Sequence, residues 1–316
     1  MLRSTLAALA LFIGLTAKAT SYTDTAFTET PIVLHTATGD VSGTLTLPRI
    51  SGKTALALII AGSGPTDRNG NNPMMKNDCL RKLAYGLADN KIASVRFDKR
   101  GIGESKSAAK SEADLRFEDY LSDAEQWLVL LKKDNRFSKV IVIGHSEGSL
   151  IGMIAARSHT DAYISVAGAG KSADKIIKEQ LSSQPQQIRD LCAPILDSLV
   201  AGKTVKDVPP MLFSLFRPSV QPYLISWFNY DPQIEIRKLD IPVLIIQGTN
   251  DIQVTADDAK LLQQSSANSK LILIKNMNHI FRLVEEDRNL NIATYGNALL
   301  PISNDLIDDI VAFIQR

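Results

Sequence analysis

Six short apolar runs, at residues 55–60, 93–97, 139–143, 163–166, 243–247 and 270–274, constrain the fold of this chain more than any other feature. Rich in Val, Ile, Leu and Ala, they have the composition of strands buried on both faces. Helical patterns separate most of them, at 77–89, 118–132, 146–157 and 255–264, and another closes the chain at 304–314. Such β-α alternation predicts a doubly wound, mostly parallel sheet covered by helices, with ligands bound at the carboxyl ends of the strands. Residues 26–47 alternate polar and apolar around Thr38-Gly39-Asp40, which predicts an N-terminal antiparallel hairpin.

One interval breaks this rhythm. Between Gly170 and Leu239 no strand pattern occurs, only helix-like segments at 173–181 and 187–199 and a Pro- and aromatic-rich stretch at 209–227. A structureless loop of that length is improbable in a compact domain, so residues 171–238 are expected to form a helical insertion capping the strand ends. It would interrupt an α/β core made of residues 20–170 and 239–316.

The length of 316 residues accommodates this plan, and 45% hydrophobic with 22% charged residues argues against a disordered or coiled-coil chain. The balance of 35 Lys+Arg against 34 Asp+Glu shows no bias toward nucleic acid or an anionic membrane, leaving small molecules as the expected partners. Met1-Leu2-Arg3, the apolar run at 6–15 and Ala17-Lys18-Ala19 have the layout of a signal peptide cleaved after Ala19. The mature protein is therefore expected to be exported, periplasmic or secreted, and without a stable membrane anchor; oligomeric state is not legible. Cys79 and Cys192 would meet oxidising conditions, but two separate buried thiols is the simpler reading. No Cys-x-x-Cys or paired-His spacing calls for a metal or cofactor.

The chemistry-bearing segment is Gly144-His145-Ser146-Glu147-Gly148, which follows one buried run directly and opens a helix. Gly-x-Ser-x-Gly in this context is a nucleophile elbow: the glycines permit close approach of strand and helix, and the helix start offers free N–H groups to an oxyanion. Ser146 then requires a base and an orienting acid. Asp251 follows the run at 243–247 and His279 follows the run at 270–274, each in a loop at the ligand edge. Asp257 and Asp258 suit the first turn of the next helix instead, and Glu285 comes after the histidine. His145 is assigned to supporting the elbow. Ala61-Gly62-Ser63-Gly64-Pro65 ends another run, and its small residues suit an oxyanion loop in which the Ser63 N–H pairs with that of Glu147. The polar stretch at 66–72 either lines the entrance or is a solvated loop.

The order Ser146, Asp251, His279 is that of α/β-hydrolases, and over essentially the whole mature chain the residues resemble that superfamily. Asp98-Lys99-Arg100-Gly101-Ile102-Gly103-Glu104-Ser105 looks like its Asp-x-Arg-Gly-x-Gly-x-Ser loop, generally a structural element, and the resemblance implies a structural role for Asp98. The stretch 61–70 together with Gly-His-Ser-Glu-Gly is similar to bacterial carboxylesterases of the EstD type. Many relatives begin the oxyanion loop with His-Gly; Ala61-Gly62 stands here, a change that a backbone donor survives.

These features imply a carboxylesterase-type serine hydrolase acting on small-molecule esters through an acyl-enzyme, without a cofactor. An aminopeptidase or acyl-peptide hydrolase would share the triad but needs a carboxylate to hold the substrate ammonium, for which Glu147 or an insertion acid is the candidate. A non-catalytic exported binding protein is a third reading. Leu212, Phe213, Leu215, Phe216, Tyr223, Leu224, Trp227 and Phe228 either line an acyl site or form the insertion's own core.

Overall fold

The computed structural model describes residues 26–109 and 111–316. The expected signal at 1–19 lies outside them. A hairpin of β1 (Phe27–Thr36) and β2 (Gly39–Pro48) leads to β3 (Thr54–Ile60), α1 (Cys79–Asp89), β4 (Ala93–Phe97), α2 (Phe117–Lys132), β5 (Phe137–His145), α3 (Glu147–Ala155) and β6 (Ala162–Val166). Five helices follow without a strand: α4 (Ala173–Ser182), α5 (Gln186–Val200), α6 (Phe213–Phe216), α7 (Gln221–Phe228) and α8 (Pro232–Ile236). The chain then returns to the sheet through β7 (Val243–Gly248), α9 (Ala256–Ser265), β8 (Ser269–Ile274), α10 (Arg288–Ala293) and α11 (Asn304–Ile314).

The strands form one sheet in the order β1-β2-β4-β3-β5-β6-β7-β8. The hairpin pairs antiparallel, β2 pairs antiparallel with β4, and every later pairing is parallel. Alternation of side chains along a strand, with helices on both faces, explains why residues 55–60 of β3 and 140–143 of β5 contain no polar face. In β3, Leu56, Leu58 and Ile60 join one core with Val140 and Val142 of β5 and Trp127 and Leu128 of α2. Ala57 and Ile59 join the other, with Ile141 and Ile143, Leu83 and Leu87 of α1, and Leu306 and Ile310 of α11. A third, smaller core lies within the interval between β6 and β7, where Ile177, Cys192, Leu199, Phe216 and Leu224 pack together. Cys79 and Cys192 are both buried and free.

Candidate functional site

Ser146 occupies the turn between β5 and α3 with φ 54° and ψ −122°, a conformation an L residue adopts only under constraint. Its amide donates to Val166 O across the sheet at 3.1 Å. The constraint comes from the flanking glycines. A Cβ on Gly148 would stand 2.3 Å from Ile60 O, and one on Gly144 would stand 2.3 Å from Gly148 O, so only glycine lets α3 start this close to β3 and β5. Ser146 is half-buried.

The loop after β7 carries Asp251 and the loop after β8 carries His279. His279 Nδ1 donates to Asp251 Oδ2 at 2.7 Å, and the two side chains are 5% and 1% exposed. The other oxygen of Asp251 accepts from the amides of Gln253 at 2.8 Å and Val254 at 3.0 Å, while Gln247 Nε2 reaches Oδ2 at 3.0 Å. Burial alone would raise the Asp251 pKa. The charge and hydrogen bond of His279, with the two amides, outweigh burial and hold it below the ordinary carboxylate value. With Nδ1 donating, Nε2 is left as the basic nitrogen. Among the described residues, neither His279 Nε2 nor Ser146 Oγ has a hydrogen-bond partner, so the two are not directly bonded. Such bonds commonly tighten only when substrate arrives.

His145 is the physical link between the Ser146 turn and His279. Its Nε2 donates to His279 O at 2.9 Å, and the two rings lie 4.8 Å apart. Burial, assisted by the neighbouring His279, pushes its pKa down to about 3, so it is neutral at physiological pH.

The loop after β3 reaches the same place. A Cβ on Gly62 would lie 3.1 Å from Ser146 Cβ, and Ser63 and Glu147 line one cavity with Ser146. Among the described residues, neither of those two amides has an acceptor. The cavity encloses about 580 Å³. From the helical interval come Ile176, Ile177, Leu215, Leu224 and Trp227; Tyr223 also faces it. The aromatic-rich stretch therefore divides: Leu215, Tyr223 and Trp227 contribute to the wall, Leu224 belongs to both wall and core, Leu212 and Phe216 are buried in the interval's own core, and Phe213 is 44% exposed.

Three details refine the sequence reading. The carboxylate of Glu147 is not free to hold a substrate ammonium: Oε2 pairs with Lys99 Nζ at 2.6 Å and Oε1 accepts from Tyr223 Oη at 2.6 Å. Asp98 accepts from Arg68 N, Arg68 Nη2 and Glu104 N, so it ties two loops together. Residues 66–72 contribute nothing to the cavity wall; Asp67 Oδ1 takes the amides of Asn69 and Asn71, and Asn71 Oδ1 those of Asn77 and Asp78, which folds the stretch onto itself.

Lys99, Gln247 and the hydroxyl of Tyr223 were not singled out by sequence reasoning as polar members of this site. A signal existed for Lys99: Asp98-Lys99-Arg100 directly follows a fully buried strand, and three adjacent charges there must each find a partner. Gln247 offered none. Among the described residues, no group of three or more His, Cys, Asp or Glu could hold a metal ion.

The model of the family described as Serine aminopeptidase, S33 matches residues 76–238. Esterase EstD of Thermotoga maritima is 28% identical over 244 residues, covering 75% of this chain and 57% of that protein. This chain thus spans just over half the length of that relative. Est1E from Butyrivibrio proteoclasticus, solved with ferulic acid bound, aligns with TM-score 0.60 and 17% identity over 87% of this chain and 96% of its own. The α/β hydrolase GrgF from Penicillium sp. sh18 aligns with TM-score 0.61 and 15% identity over 92% and 98%. The fold is that of the α/β-hydrolases.

Proposed function

We propose for this chain, which belongs to the Serine aminopeptidase, S33 family, that it is a carboxylesterase-type serine hydrolase with Ser146, Asp251 and His279 as its triad. The observation that carries the reading is the 2.7 Å bond from His279 Nδ1 to Asp251 Oδ2 at the sheet edge where Ser146 sits strained at the elbow. His279 Nε2 takes the proton of Ser146 as its oxygen attacks the ester carbonyl. The Ser63 and Glu147 amides receive the oxyanion, and Asp251 stabilises the imidazolium. The alkoxide leaves with the proton held by His279, and a water activated by the same nitrogen then releases the acid. Helices α4 to α8 act as a cap that selects the acyl or alcohol group, and residues 1–19 direct export.

Ester hydrolysis is preferred over aminopeptidase action because of the charges on the cavity wall. Among the described residues, Lys99, Lys106, Lys171 and Arg217 share the wall with two carboxylates, and both are engaged: Glu147 by Lys99, Glu112 by Arg217 and Ser219. A substrate ammonium would find no free anion there. The test is a rate panel of p-nitrophenyl esters from acetate to palmitate beside aminoacyl anilides. Faster ester turnover, together with Ser146-dependent labelling by a fluorophosphonate, is expected; faster anilide turnover would reverse the assignment.

A further inference from the structure

Lys99 is 1% exposed, yet it touches both of the segments that supply the free amides beside Ser146. Nζ donates to the Gly62 carbonyl at 2.8 Å, pairs with Glu147 Oε2 at 2.6 Å and lies 4.8 Å from the centroid of the Tyr120 ring. The first of these contacts fixes more than a carbonyl. Gly62 O and Ser63 N–H belong to one planar trans peptide unit, in which C=O and N–H point in opposite directions. A carbonyl held on Lys99 therefore turns the Ser63 amide away from Lys99. That amide has no acceptor among the described residues, and Ser63 lines the cavity with Ser146.

The second contact acts on the other amide. Glu147 is the first residue of α3, and its side chain is anchored by the same ammonium and by Tyr223 Oη. A cation on the carbonyl end of a peptide also polarises its N–H, strengthening it as a donor. Stability alone does not explain such a cluster, since a buried ion pair is commonly no better than apolar residues of the same volume.

We propose that Lys99 is the positioning residue of the oxyanion site: one buried ammonium orients the Ser63 and Glu147 amides together and polarises the Gly62–Ser63 peptide. The proposal rests on the assignment of those amides as oxyanion donors to a Ser146 nucleophile. The alternative role is purely structural, with Lys99 and Glu147 serving only to dock α7 through Tyr223.

The experiment compares wild type, Ser146→Ala, Lys99→Met and Lys99→Gln on a p-nitrophenyl ester. Each is also titrated with a trifluoromethyl ketone, which adds Ser146 Oγ to its carbonyl carbon and presents an oxyanion, and with the matching methyl ketone, which stays trigonal. If wild type does not hydrolyse the ester, or Ser146→Ala does so equally well, the serine hydrolase reading fails before Lys99 is tested. Given Ser146-dependent turnover, Lys99→Met is expected to lower kcat by about 10²–10³, the range for losing an oxyanion donor, with KM changed by less than about threefold. Affinity for the trifluoromethyl ketone should fall in parallel while that for the methyl ketone holds. Lys99→Gln keeps a neutral donor toward Gly62 O and should lose less; should the methionine variant fail to fold, the same affinity ratio in Lys99→Gln decides. A folded variant with kcat within threefold of wild type, or one that loses kcat while keeping its preference for the trifluoromethyl ketone, overturns the proposal.

Discussion

The loops at the carboxyl edge of the sheet and the helices between β6 and β7 meet across one cavity but are held by different forces. At the edge, backbone is tied to backbone. Thr249 N donates to Ile274 O and Asn250 N to Met277 O, both at 3.0 Å, and a Cβ on Gly248 would fall 2.0 Å from Met277 O. The loops that carry Asp251 and His279 are thus laced together before their side chains are considered. The helices instead dock through side chains: Tyr223 on Glu147, Ser226 Oγ on Phe117 N at 2.8 Å, Arg217 on Glu112, and the Trp227 ring stacked on Phe117 at 6.1 Å. They leave Met211 65% and Val200 55% exposed. Reacting groups tolerate errors of only a fraction of an ångström, which backbone ties can enforce. The substrate selection proposed for the helices tolerates more, and side-chain docking suffices for it.

This contrast is sharpest at Ser146. Ser146→Ala should lower kcat on an activated ester by at least about 10³, while urea unfolding midpoints stay within error of wild type. A variant that retained turnover would remove the edge from the chemistry altogether. A second strong effect is expected from pH. The His145 pKa in the folded chain, about 3, lies below its ordinary value of 6.5. Between those values the unfolded chain binds the extra proton, so stability rises with pH across the window and is lost on acidification, by about 1.4 kcal/mol per pH unit. Asp251, held low, adds its own loss only below the ordinary carboxylate range. Urea titrations at pH 7, 5.5 and 4.5 should show this slope in wild type and a flatter one in His145→Gln; equal slopes would remove His145 as the cause.

Gly148→Ala introduces a methyl against the Ile60 carbonyl, a backbone atom that cannot rotate away, and should cost about 1–3 kcal/mol in thermal or chemical unfolding. The smallest effect belongs to the helical side. Leu215→Ala, at a half-buried wall position, should change the ratio of long-chain to acetyl ester kcat/KM by no more than about tenfold and leave acetate turnover within twofold. A large loss on acetate would mean that the helices also shape the reacting geometry, and the division drawn above would collapse.

The strands were legible because burial on both faces makes apolar residues predominate, even in β4 where Ser94 and Arg96 are buried; β4 and α11 fall on the bounds expected from the sequence, and the others differ at their ends. Ser146, Asp251 and His279 could be proposed because each follows a strand that is itself legible. The sheet order was not, since β2 pairing with β4 depends on the whole topology. Helix α10, just after the His279 loop, also escaped notice: its six residues carry little periodicity. Lys99 and Tyr223 are far apart in the chain, and a role that consists of meeting at Glu147 has no local pattern. The aromatic stretch at 209–227 could not be apportioned between cavity and core, because that division depends on which side of each short helix faces the cavity.

The helical interval leaves the sheet after β6 and rejoins it at β7, and those strands are neighbours whose pairing runs from Tyr163↔Val243 to Val166↔Ile246. Because the two strands run parallel, the interval departs beyond Val166 at the carboxyl edge of the sheet and must cross back to the opposite edge to enter β7 at Val243. Insertions and deletions arising there over evolutionary time, or a laboratory graft of a different helical segment at residues 171–238, must keep a return leg that reaches from the carboxyl to the amino edge of the sheet. A replacement that meets this requirement can alter the cavity wall at Ile176, Leu215 and Trp227 while β6 and β7 keep their register.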